Sequence, residues 1–264
     1  MTKYRVDSPV TSGACRSLRG ACDVWDGECG GSLCCTSLTA APPIKRAPSK
    51  QVASNALKLR RDFYARATLQ VARELIGMHL VHDDEGTRRE GRIVETEAYQ
   101  GPADQAAHSA RGLTPRNAVM FGPPGYAYVY FIYGFWNCLN VVTREQGVPH
   151  AVLLRALEPV TSVTDKTWGP GLLCRAMHID RRLNGVDLCA GRLWLERPPR
   201  TRSIARVART TRIGVAYAGE WAARPWRFFD RDSTFVSTVT AAARARVIRG
   251  IDQDVTLRSK GPAS

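Results

Sequence analysis

The chain has 264 residues, 44% of them hydrophobic, with a formal net charge of +14 and a pI of about 9.8; that suffices for one sizeable core and gives a surface that attracts polyanions such as phosphate backbones. No run of eighteen or more apolar residues occurs, and no apolar segment with a small-residue cleavage site stands near the N-terminus, so a soluble, intracellular protein without a membrane partner is expected. A GxxxxGK[ST] loop, an HExxH pair and CxxC arrays are all missing, which leaves nucleotide hydrolysis and zinc catalysis without a motif.

Residues 1–56 are rich in Gly, Ser, Thr, Pro and Cys, show little hydrophobic periodicity, and read as a disordered, Cys-rich extension. Its cysteines are Cys15, Cys22, Cys29, Cys34 and Cys35. They contain no CxxC pair, so a reading as a metal or redox protein rests on the adjacent Cys34 and Cys35. Periodicity begins near Leu57. A helix is predicted from about Ala67 to Leu75, handing over at Gly77 to a strand through Leu80 and Val81. The turn residues Asp83, Asp84, Glu85 and Gly86 return the chain as an antiparallel strand from Gly91 to Tyr99. Gly101-Pro102 breaks that strand, ADQAAHSA suggests a short helical turn, and a loop runs from Gly112 to Pro124. Tyr126 to Ile132 and the segment CLNVV form two strands around a reversal at Gly134, with Tyr133 at or near the tip. A further strand from Ala151 to Ala156 ends at Pro159, and GPGLLCRAM, from Gly169 to Met177, reads as a loop feeding a helix. The pattern closes with WLERP, IGVAYAGEW and PWRFF. Strands outnumber helices and βαβ repeats are missing. The expected fold is therefore α+β: a single domain over 57–237 with a mainly antiparallel, curved β-sheet and surrounding helices, followed by a basic tail over 238–264.

Strand alternation puts Ile93, Glu95, Glu97 and Tyr99 on one face, and two carboxylates on an apolar strand are costly to bury unless paired or used. Glu97 is the candidate general base for hydrolysis of a glycosidic bond, where a carboxylate must orient and deprotonate a water; the alternative is a plain pair with an arginine. Glu95 is a poor acid partner for it, because residues two apart on a strand lie side by side. Tyr99, His108 and Tyr130 are candidates to stack on or hydrogen-bond a planar base, or else ordinary packing. A tyrosine at a hairpin tip, Tyr133, fits a wedge that fills the gap left by a displaced base. Arg155 offers a cation to an anionic base or a phosphate, or to a glutamate, and Gly169-Pro170-Gly171 offers backbone N–H groups at a helix start.

RIVETEAYQGPADQAAHS, TPRN at Thr114 to Asn117, YVYFIYG with Asn140, AVLLRALEP and YAGEW occur in one order along the chain. Over roughly Leu57 to Ser237 the chain resembles the alkyladenine type of 3-methyladenine DNA glycosylase. The resemblance implies an enzyme that inserts a tyrosine into duplex DNA, flips an alkylated or deaminated purine into a pocket, and hydrolyses its N-glycosidic bond without metal, cofactor or lyase chemistry. By matching position, Glu97 is similar to the water-activating base and Arg155 to a residue that helps hold that water. Tyr99, His108 and Tyr130 then form the base pocket, Tyr133 is the intercalating wedge, and Asn140 crowds the exocyclic amino group of normal guanine. The implied partner is double-stranded DNA containing damaged purines, for which a monomer suffices; the expected location is the cytoplasm or nucleoid if the source is bacterial. A non-catalytic damaged-DNA binder is the alternative. Leu172 stands where the family often has a basic residue after Gly-Pro-Gly, the stretch from Pro159 to Gly169 is short, as in bacterial-like forms, and the Cys-rich extension has no counterpart.

Overall fold

The computed structural model describes residues 57–198 and 205–237. The expected N-terminal extension with its cysteines, and the expected tail over 238–264, lie outside the described residues. Two short helices, α1 (Arg61–Tyr64) and α2 (Thr68–Glu74), precede strands β1 (His79–Asp84) and β2 (Thr87–Gln100). At seven residues α2 is far too short to persist alone. Val71, Ala72 and Leu75 are fully buried, Val71 and Leu75 each contributing about 1.5–3 kcal/mol on burial, and the Thr96 hydroxyl donates to the Ala72 carbonyl at 2.8 Å. The helix is thus fastened by β2.

The β1–β2 turn falls on the turn residues that the sequence suggested and is of the two-residue kind, so that β2 begins at Thr87, ahead of the expected Gly91: Glu85 and Gly86 both have positive φ, and the Gly86 N–H donates to Asp83 Oδ1. A second hairpin joins β3 (Ala127–Ile132) to β4 (Trp136–Thr143) through Tyr133, Gly134 and Phe135. Strand β5 (His150–Thr161) leads to α3 (Pro170–Ala176), and β6 (Leu193–Glu196), β7 (Val207–Thr210) and β8 (Arg227–Asp230) complete a curved, antiparallel sheet. Strand β7 has no counterpart in the sequence reading. Strand β5 also runs through Pro159 instead of ending there; Pro159 faces Gly91 beside a register shift, where a missing N–H disturbs the ladder least.

The sheet order is β3-β4-β5-β2-β1-β6, with β8 added to β2 and β7 to β8. Strand β2 is the trunk. Along one edge it pairs with β5; along the other it pairs first with β1 and then, from Glu95 to Glu97, with β8. A bulge between Ile93 and Thr96 accompanies that change of neighbour. The bulge also interrupts the predicted face: Ile93 packs in the main core with Ala98 and Leu157, whereas Glu95, Glu97 and Tyr99 turn their polar atoms to the opposite side from Thr96 and α2. Among the described residues no helix is long and apolar enough to cross a membrane.

Gly125, which leads into β3, has φ of +79°, and a Cβ there would stand 2.7 Å from the ring of Tyr64, which is fully buried. Gly125→Ala should destabilise the domain by about 2 kcal/mol or more, through both backbone strain and overpacking, read as a lower midpoint in urea unfolding.

Candidate active site

One row of strand partners crosses five strands: Tyr128 on β3, Asn140 on β4, Leu153 on β5, Glu97 on β2 and Arg227 on β8. Directly paired residues of antiparallel strands share a face, so the curved sheet gathers these side chains into a trough. Above it lies a cavity of about 480 Å³ lined by, among others, Tyr99, His108, Tyr130, Asn140, Arg155 and Tyr217. That is the size range of small-molecule sites.

Glu97 has no exposed surface. The Ile213 N–H donates to its Oε1 at 2.7 Å, the Tyr99 hydroxyl donates to its Oε2 at 2.9 Å, and Arg155 Nη1 stands 3.3 Å from Oε2. All three residues line the cavity, so the carboxylate sits just behind its wall. Burial holds the Glu97 carboxyl above the usual carboxylate range; Arg155, the Ile213 N–H and the Tyr99 hydroxyl oppose that shift and the charge of Glu95 adds to it. Burial and the neighbouring Glu97 charge push Tyr99 well up, which keeps its phenol neutral and donating.

The opposite wall is aromatic. His108 meets Tyr130 edge to face with centroids 4.5 Å apart, and its Nδ1 lies 2.9 Å from the Tyr128 hydroxyl. One edge of His108 is thus packed while the residue as a whole is exposed at the rim. Burial of that edge, together with Arg116, lowers the imidazole pKa, leaving a neutral ring at neutral pH. Burial likewise raises the Tyr128 phenol to about 12. Asn140 is buried and donates from Nδ2 to the Tyr128 carbonyl at 3.2 Å. Tyr133 stands apart from the other six predicted residues in exposure: it is 78% exposed at the tip of the β3–β4 hairpin, with φ of +55°. A tyrosine held in the left-handed region is strained by about 1 kcal/mol or more, and Gly134 beside it, at φ +76°, completes the reversal.

Sequence reasoning missed several residues that hold this arrangement. Arg212 and Asp104 form a fully buried, two-pronged ion pair, and the Arg212 guanidinium also donates to the Ala98 and Trp221 carbonyls while stacking 4.9 Å from the Tyr99 ring centroid. Asn117, inside the TPRN segment, accepts from the Thr114 N–H and donates to the carbonyls of His108 and Gly112, pinning the loop that carries His108. The Gly-Pro-Gly segment has a packing reason for its second glycine: a Cβ on Gly171 would fall 2.6 Å from the indole of Trp136. Leu172 lines the cavity.

Ligand atoms of His79, Glu90 and Glu196 lie within 4.8 Å of one another, the one such group among the described residues. Arg88 already donates to both carboxylates, the Trp194 indole donates to Glu196, and His79 contacts Glu90. The hydrogen bond from His79, then Arg88, brings Glu90 down to about 2. These charges are met by protein groups and fit a structural knot better than a cation site. The cysteines Cys138, Cys174 and Cys189 are free thiols.

Breaking the Asp104–Arg212 pair tests its supporting role. Asp104→Ala leaves a guanidinium buried without its carboxylate and should cost about 3–5 kcal/mol in chemical denaturation.

Residues 62–234 match the methylpurine-DNA glycosylase family. A protein of Anaeromyxobacter dehalogenans strain 2CP-C is 55% identical over 182 residues, covering 69% of this chain and 87% of its own. A Legionella pneumophila strain Corby protein is 50% identical over 180 residues, 68% of this chain and 98% of its own, and one from Methanocella arvoryzae is 51% identical over 193 residues, 68% and 95%. All three carry the provisional name 3-methyladenine DNA glycosylase. The family match takes in every residue that lines the cavity, and the chain belongs to the methylpurine-DNA glycosylase family.

Proposed function

We propose that this protein starts base excision repair by flipping alkylated or deaminated purines out of duplex DNA and hydrolysing their N-glycosidic bond with a water activated by Glu97. The observation that carries the reading is the placement of Glu97. A carboxylate can accept about four hydrogen bonds, and Glu97 accepts two, from the Ile213 N–H and the Tyr99 hydroxyl, beside the charge of Arg155, all three groups being on the cavity wall. Acceptor capacity remains for a water that enters from the cavity. Its raised pKa makes the ionised form a better base once formed.

In this mechanism Tyr133 enters the DNA stack and occupies the gap, while the flipped purine lies between Tyr99 and the His108–Tyr130 pair. Arg155 orients the water together with Glu97. The Glu97 carboxylate takes a proton from that water as oxygen bonds to the sugar carbon and the glycosidic bond electrons leave with the base. An alkylated purine is cationic and departs readily, so one carboxylate suffices; hypoxanthine, being neutral, leaves more slowly. Asn140, fixed by its bond to the Tyr128 carbonyl, rejects the amino group of normal guanine by crowding. No lyase step is part of the scheme, and a monomer is sufficient.

Methylated duplex DNA isolates the base, because the departing purine carries its own charge. Single-turnover release should rise with pH as Glu97 ionises through its raised pKa and then level off. Glu97→Gln should lower the plateau by about 10²–10⁴-fold. Wild-type release by that variant would remove Glu97 from the mechanism, and tight lesion binding without release by the wild type would favour the non-catalytic binder. Tyr133→Ala should leave unfolding within about 0.5 kcal/mol of wild type, since the side chain is exposed, yet slow base release by about tenfold or more.

A further inference from the structure

Glu95 is the second carboxylate of the ETE segment, is as buried as Glu97, and does not line the cavity. It accepts four hydrogen bonds from protein groups: Arg155 Nε, Arg227 Nη1 and the Ser237 hydroxyl donate to Oε1 at 3.1, 2.8 and 2.8 Å, and the Ser237 N–H donates to Oε2 at 2.7 Å. Both arginines it holds lead to Glu97. Arg155 reaches Glu97 Oε2 directly through Nη1. Arg227, through Nε, grips the Thr211 carbonyl at 3.0 Å, two residues before the Ile213 N–H that donates to Glu97 Oε1.

We infer that Glu95 is a positioning residue for base release: by clamping Arg155 and Arg227 it holds two of the three groups that orient the Glu97 carboxylate, the Arg155 guanidinium and the segment carrying the Ile213 N–H, and it shares with Glu97 the positive charge of Arg155. This rests on the reading of Glu97 as the base. The groups that face Glu97 are Tyr99 and Glu95 from β2, Arg155 from β5, Tyr130 from β3, the Arg227 backbone partner from β8, and Arg212 behind Tyr99. Removing the charge of Glu95 takes away a like charge and leaves Arg155 to act on Glu97 alone. Glu97 should then ionise at lower pH, while its orientation loosens.

The test is single-turnover release from methylated duplex DNA across pH by wild type, Glu95→Gln, Ser237→Ala and Glu97→Gln, each with a thermal melt and an affinity for a duplex carrying an abasic site. For folded Glu95→Gln the expected result is a plateau lowered by about tenfold or more, because small misplacements of reacting groups are costly, an acid limb displaced to lower pH, and wild-type affinity. A wild-type plateau and limb would overturn the proposal; so would a lowered plateau that follows the unfolded fraction with an unmoved limb, which is what a purely structural role gives. Ser237→Ala loosens Glu95 with every charge in place, so its plateau should fall by about threefold or more with the limb unmoved. It decides the matter if Glu95→Gln does not fold, since a wild-type plateau there would overturn the inference. Full activity in Glu97→Gln would sink the base and the positioning role together, whereas an inactive Glu97→Gln beside a wild-type-like Glu95→Gln would sink the positioning role alone.

Discussion

A carboxylate moved from water into a protein interior loses several kcal/mol of solvation unless charge and hydrogen bonds replace it. Two such carboxylates, Glu95 and Glu97, lie side by side without exposed surface, and the surrounding structure can be understood as the replacement. Arg155 and Arg227 bring the local charge to balance. The division of partners is unequal: Glu95 accepts four hydrogen bonds, while Glu97 accepts two and stays above the usual carboxylate range. Identical residues two positions apart thereby acquire different chemistry.

The sheet supplies the rigidity that this division requires. Strand β2 carries both carboxylates and Tyr99, β5 carries Arg155, and β8 carries Arg227, so every charged group of the cluster is anchored on a paired strand. Loops supply the remaining walls and are tied down by buried polar contacts, Asn117 under His108 and Asp104 with Arg212 behind Tyr99. Among the described residues, the hairpin tip is exposed, with Tyr133 at 78%. In the proposed mechanism that contrast separates an element that reaches into DNA from elements that hold still.

Much of this was legible in the sequence, for physical reasons that differ by element. The β1–β2 turn, the β3–β4 hairpin and α2 announce themselves through local turn chemistry and periodicity, and Glu97 and Tyr99 fall on one face by alternation. The bulge at Glu95 was not visible, because it depends on β2 changing neighbours from β1 to β8. Strand β7 is four residues long with only partial burial and too little alternation to read. The roles of Asp104, Arg212 and the Ile213 N–H were equally hidden: the first two are 108 residues apart, and the third is a backbone group that any residue could supply. The sequence reading already singles out Glu97 over Glu95, but the physical difference between the two carboxylates of ETE lies in their tertiary partners.

The bond between Ser237 and Glu95 closes a loop of 142 residues, and the Arg212–Asp104 pair closes one of 108. Contacts of such sequence separation impose loop-closure entropy before they return any stabilisation, and chains dominated by them fold slowly. The charge cluster behind the cavity therefore completes late in folding, after local hairpins have formed. A chain still emerging from the ribosome carries β2 with its two carboxylates long before it carries the segment that balances them. Until Arg155 and Arg227, and finally Ser237, have emerged, the two carboxylates of the trunk strand lack the partners that let them be buried, a window in which the nascent domain is vulnerable to misassembly.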